Sequence, residues 1–245
     1  MATLFFANQA VKLFLLYMIQ YGCGMLVVHK SLKVNYTRKI GHFSLFLIPF
    51  FLDRIIVYEQ SLGVFLIGFI ITIITLLIYI YPVRRQIPFV NMMFTGFDRP
   101  EDRPMTLLWL STQVIAGYLV IIPFIVLYMV HGLMHLIMLP LLIACIGDGL
   151  AEPVGVRFGR HKYQVRALFT KKKYYRTLEG SACVFITSVV VIAAFHAAFT
   201  PAQFIAAMAT MPIAMTLTEA FSPHTWDTPT LFLAGYLLLF AIMFI

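Results

Sequence analysis

The chain has 245 residues, of which 61% are hydrophobic and only 11% charged, with a formal net charge of +8. Soluble domains carry roughly 25% charged residues, so this composition excludes an ordinary soluble globular protein and a disordered one. The cations lie in loops between apolar runs, which fits membrane topology and anionic lipid headgroups and argues against a nucleic-acid partner.

Repeated apolar runs near the roughly 20 residues needed to cross a bilayer predict an all-α, polytopic transmembrane bundle, one integral-membrane domain over residues 1–245. We read eight candidate helices at about 8–28, 39–57, 61–81, 106–129, 132–147, 180–198, 202–219 and 229–245, giving seven to eight membrane helices. The first lacks the charged start of a cleaved signal and is read as retained. Cys23, Cys145 and Cys183 have no metal-ligand spacing and are read as small apolar fillers.

Loop charge orients this bundle. Lys30, Lys33, Arg38 and Lys39 follow the first run; Arg84, Arg85, Arg99 and Arg103 follow the third; Arg157 through Arg176 follow the fifth. By the positive-inside rule these loops are cytoplasmic. Asp148, Glu179, Glu219 and Asp227 then fall on the same side. Acids at the edge of hydrocarbon are costly unless hydrated, paired or metal-bound, so they are candidates for function.

Five charged stretches are candidates for the chemistry. In YTRKIGHF, Arg38 and His42 are four apart and share a helix face, with Lys39 between them. FDRPEDRP, residues 97–104, has prolines that oppose a regular helix and charges able to pair with one another. IGDGLAEPVGVRFGRHKY, residues 146–163, sets Asp148 and Glu152 among Gly147, Gly149, Gly155 and Gly159, with Arg157, Arg160 and Lys162 able to hold phosphoryl oxygens. Ala151, Gly155 and Gly159 recur every four residues and would form a small-residue packing ridge, while Pro153 predicts a change from helix to loop. RTLEGS, residues 176–181, supplies Arg176, Glu179, Gly180 and Ser181, and TEAFSPHTWDTP supplies Glu219 and Asp227. Glu179 is read either as a metal ligand or as the partner of Arg176, and Asp227 either as a site acid or as a helix cap. His131 and His135 lack a third ligand and are read as bundle or outer-surface residues.

The ordered set RKIGH, GDGLAEPVGVRFGRHK, RTLEGS and Glu219…Asp227 resembles the membrane-embedded CTP-dependent lipid kinases: dolichol kinase, phytol or farnesol kinase and the yeast-type diacylglycerol kinase. The resemblance runs from residue 38 to about residue 229. It implies transfer of the terminal phosphoryl of CTP to a membrane lipid alcohol, most of all an isoprenoid alcohol, with Mg²⁺ as cofactor. Asp148, Glu179 and Asp227, with Arg38, Lys39 and His42, would be catalytic. Gly147, Gly149, Glu152, Gly155, Arg157, Gly159, Arg160, Lys162, Arg176 and Gly180 would bind the nucleotide, and Asp148, Glu179, Glu219 and Asp227 the metal. The setting implied is a bacterial inner membrane or the endoplasmic reticulum. Competing expectations are a diacylglycerol kinase of the same family, a CDP-lipid transferase or cytidylyltransferase, and a non-catalytic transporter.

Overall fold

The computed structural model describes residues 2–59 and 61–245. Among the described residues the secondary structure is helical apart from one short hairpin, and the chain divides into two compact units, Met1–Ser111 and Thr112–Ile245.

In the first unit α1 (Ala2–Lys30) packs against α2 (Val34–Ile55) and α5 (Pro88–Thr95), with α3 (Leu62–Leu77) and α4 (Tyr81–Gln86) between them in sequence. Both α4 and α5 carry proline in the first turn, where its missing N–H is no loss. The prolines here start helices. Gly24 lets α1 lie against the backbone of Met92, since a Cβ there would meet the Met92 carbonyl oxygen at 1.9 Å. Thr37 donates from Oγ1 to the Gly96 carbonyl at 2.7 Å, a buried bond tying α2 to the end of α5. Tyr79, Val90, Met93, Phe94 and Phe97 form the buried cluster beside these contacts.

The second unit is built on the part of α6 (Thr106–Val130) from Thr112 onward and a composite helix whose segments are α7 (Met138–Leu142), a π-helical turn Ile143–Asp148, and α8 (Gly149–Phe158). A hairpin of β1 (Lys162–Val165) and β2 (Tyr174–Thr177) follows, antiparallel, with Lys162 opposite Thr177 and Val165 opposite Tyr174. Then come α9 (Leu178–Ala194), α10 (Pro201–Phe221) and α11 (Asp227–Ile242). The core is aliphatic and aromatic: Leu136, Ile143, Val184, Met211, Met215 and Leu239 are buried. Tyr128 donates to the Tyr236 carbonyl at 2.9 Å, and Tyr236 donates to that of Ile137 at 2.9 Å, so both buried hydroxyls are satisfied.

The expectation of seven to eight membrane helices is corrected. Among the described residues four helices are long and apolar enough to cross a membrane: Thr3–Lys30, Thr106–Val130, Met134–Phe158 and Pro201–Phe221. That is a composition suited to membrane association. The apolar helices α3, α9 and α11 have 16, 17 and 16 residues. At 1.5 Å per residue they reach roughly 24–26 Å, short of a hydrocarbon core of about 30 Å. The run expected at 39–57 falls mostly in α2, which ends at Ile55, carries Arg38, Lys39, Asp53 and Arg54 and is not among the four.

A second correction concerns Pro153. The helix does not give way to a loop there but continues to Phe158. Tertiary packing outweighs local propensity: Gly147 lies against Val184, and Gly155 and Gly159 against Thr177. Asp148 therefore lies inside a long apolar helix and not at its end, at 4% exposure.

Candidate functional site

The second unit gathers Arg176, Glu219 and Asp227 at one centre. Arg176, on β2, donates through one terminal nitrogen to the Glu219 carbonyl and through the other to Asp227 Oδ1. The Glu219 carboxylate lies 3.5 Å away, and the Pro223 carbonyl accepts a further bond at 3.4 Å. The guanidinium fork thus joins the hairpin to the C-terminus of α10 and the N-terminus of α11. A planar, always-charged group with several donors is what such a junction requires, and lysine would not reproduce it. Burial works against the charge of Arg176, but Asp227, Glu219, Tyr163 and Asp148 together overcome it and hold the guanidinium above its ordinary pKa.

A hydrogen-bonded chain leads away from this centre. Ser181 Oγ donates to Glu219 Oε2 at 2.7 Å, and Tyr163 Oη lies 2.6 Å from Ser181 Oγ. With the serine proton committed to the carboxylate, the tyrosine is the donor to serine. Burial, then the charge of Glu219, pushes the Tyr163 hydroxyl up to about 12 against the opposing pull of Ser181 and Arg176, so it keeps its proton at neutral pH.

Glu179 is held apart from that centre. Its carboxylate accepts the backbone N–H of His161 at 3.3 Å and lies 2.8 Å from His161 Nδ1. Its own backbone N–H, His161 and the Arg160 N–H hold its pKa down to about 2. Glu179 is the clasp of the turn that carries Arg160 and His161, and Arg176 pairs elsewhere. Thr177 caps α9, accepting from the Gly180 N–H at 3.1 Å.

The glycines of the longest motif serve the crossing of α8 and α9. A Cβ on Gly155 would meet Thr177 Oγ1 at 2.7 Å, one on Gly159 would meet the Gly155 carbonyl oxygen at 2.3 Å, and one on Gly180 the Ala151 carbonyl oxygen at 2.6 Å. The four-residue ridge read from the sequence is present as packing. Gly147 and Gly149 are buried, and Glu152 is half-buried.

The cations do the opposite. No acid stands between Glu152 and Glu179, and Arg157, Arg160, Lys162, Arg166, Lys171, Lys172 and Lys173 are all exposed. The hairpin separates them into two groups. Arg157, Arg160 and Lys162 lie at its open end, while Arg166 and the three consecutive lysines lie at its turn end. The turn end is fixed: Ala167 bridges His224, the His224 N–H donates to the Arg166 carbonyl at 2.7 Å, and the Tyr174 and His224 rings stack with centroids 3.8 Å apart.

Arg38, Lys39 and His42 belong to the first unit, on α2. Lys39 is buried, Arg38 is half-buried, and His42 rests on Phe46 with ring centroids 5.0 Å apart. His131 packs edge-on against Phe240 at 5.0 Å. The FDRPEDRP segment pairs its charges internally. Arg99 meets Asp102 at 2.7 Å and Arg103 meets Asp98 at 2.8 Å.

Several residues of this site carry no mark in the sequence. Tyr163 is one. Thr225 is another: it takes a left-handed backbone (φ 67°), and its buried Oγ1 has no hydrogen-bond partner. A β-branched residue there is strained, and strain of this kind gathers at functional sites.

No family model, no curated protein and no solved structure matches this chain. The kinase reading is corrected as well. Among the described residues four helices qualify as membrane spans by length and composition, not the many-span topology of the CTP-dependent lipid kinases. Among the described residues no group of three or more His, Cys, Asp or Glu is arranged to hold a metal ion. Glu219 and Asp227 converge on a guanidinium, which supplies the positive charge that a cation would otherwise bring. Membership of that family and the transfer of phosphoryl from CTP to a lipid alcohol are therefore set aside.

Proposed function

We propose that this chain is a membrane-embedded protein that binds a soluble polyphosphate, of which nucleotide triphosphates are the commonest class, at the open end of its hairpin on the cytoplasmic side. The observation that carries this reading is the exposed trio Arg157, Arg160 and Lys162, set in a stretch without acids and clasped at Arg160 and His161 by Glu179. Arginine offers planar, bidentate recognition of phosphate oxygens and lysine a compact charge, so the trio favours several linked phosphates over one. Arg176 and its acids form the anchor behind this surface. Mg²⁺ would arrive bound to the polyphosphate, since Mg²⁺ keeps most of its waters and needs few protein ligands.

The test is equilibrium binding to the purified protein in an uncharged detergent. The ligands are ATP, CTP, inorganic triphosphate and AMP, each with and without Mg²⁺. Triphosphates should bind at least about tenfold more tightly than AMP, with affinity falling as salt rises. Equal, salt-independent binding of all four, or none, would overturn the proposal. Sidedness is checked by labelling Lys171→Cys with a membrane-impermeant reagent, where reaction in intact cells would contradict a cytoplasmic hairpin.

A further inference from the structure

From the turn end of the hairpin we infer a second surface, one that docks on an anionic lipid leaflet. Its central residue is Phe169, 59% exposed and held in the left-handed backbone region at φ 63°. A bulky side chain at positive φ is an outlier. An exposed aromatic kept in a strained turn gains nothing from water, whereas a ring of this kind inserts readily among lipid headgroups. Arg166, Lys171, Lys172 and Lys173 surround it in sequence and are all exposed.

Position makes the partner a membrane. The hairpin begins a few residues after Phe158, where one long apolar helix ends. Its turn end is fixed by the Ala167 bridge and the ring stack to His224, three residues beyond Phe221, where another such helix ends. The loop is thereby held at the level where two apolar helices leave the hydrocarbon, and Phe221 itself is 83% exposed there. Cations at that level meet lipid phosphates, and each Lys or Arg near an anionic surface strengthens attachment about fivefold. This surface is independent of the polyphosphate site, because its cations are at the other end of the hairpin.

The experiment is hydrogen exchange on residues 166–173 of the full-length protein in nanodiscs. Discs of zwitterionic lipid are compared with discs containing about one-third anionic lipid, a fraction chosen to give a cytoplasmic-type surface potential. We expect exchange at least about tenfold slower in the anionic discs, the combined effect of several cations, each worth about fivefold. The triple variant Lys171→Gln, Lys172→Gln, Lys173→Gln should lose that difference, and so should high salt. A parallel readout uses Phe169→Trp, whose fluorescence should be quenched by brominated lipid beyond the wild-type signal. Equal exchange in the two kinds of disc would overturn the inference. So would protection produced in zwitterionic discs by soluble inorganic triphosphate, which would make the loop a site for a free anion.

Discussion

Two arginine-rich stretches of this chain are treated in opposite ways. In residues 98–106 every arginine finds an acid within a few positions: Arg99 takes Asp102, and Arg103 takes Asp98, which also accepts from Thr106 at 2.7 Å. In residues 157–176 there is no acid to take. There the fold buries one cation, Arg176, against acids 43 and 51 positions away and leaves seven others in the open. Charge that cannot be neutralised locally is either recruited into a long-range junction or left to meet a partner from outside. The second stretch does both.

The largest expected effect lies at the junction. Arg176→Ala removes the counter-charge of the buried Glu219 and the half-buried Asp227, and losing one partner of a buried ionic network costs about 3–5 kcal/mol. Arg99→Ala removes the charge-assisted contact with Asp102 and should cost about 1.5–3 kcal/mol. Thermal unfolding in detergent should show that order. A smaller effect for Arg176→Ala would mean that the hairpin is not anchored through it. Next is the surface on which the cationic stretch rests. Gly159→Ala forces a methyl against Thr177 and the Gly155 carbonyl and should cost about 1–3 kcal/mol. Gly117→Ala meets nothing within 4 Å and should be neutral or stabilising by up to about 1 kcal/mol, as helix propensity dictates. Smaller still, Thr225→Gly should relieve the left-handed strain and stabilise by about 1 kcal/mol.

Glu179 sharpens the comparison through pH. Its pKa is lowered from 4.5 to about 2, so its hold on the Arg160 turn is fully present above pH 4.5 and is lost as pH falls through about 2. Carboxyl carbon shifts followed by NMR should show one glutamate titrating near 2 that disappears in Glu179→Gln. A midpoint near 4.5 would remove the clasp.

The all-α fold was legible in the apolar runs, because that pattern is local, but apolar length overcounted the spans: four helices qualify among the described residues, not seven to eight. The ridge of Ala151, Gly155 and Gly159 was legible for the same reason: its four-residue spacing is the helix repeat itself. The helix through Pro153 was not, since packing of Gly155 and Gly159 on Thr177 overrides a local breaker. Nor was the hairpin, whose strands have four residues each and show little alternation. Glu179 and Arg176 are three apart and read naturally as a pair, yet the hairpin turns Arg176 toward Glu219 and Asp227 and Glu179 toward His161. The lipid-kinase resemblance failed on topology, since four helices among the described residues qualify as spans, and the seating of Arg176 between Glu219 and Asp227 is visible only in three dimensions.

The central claim is that the exposed cations of the second stretch form two distinct surfaces, the one at the open end being for polyphosphate. It is tested most directly by the affinity for inorganic triphosphate of wild-type protein and two triple variants in uncharged detergent. Arg157→Gln, Arg160→Gln, Lys162→Gln should weaken binding at least about tenfold, the loss of several charge-assisted contacts, while Lys171→Gln, Lys172→Gln, Lys173→Gln leaves it within about twofold. Equal losses in the two variants, or a loss confined to the lysine run, would contradict the account.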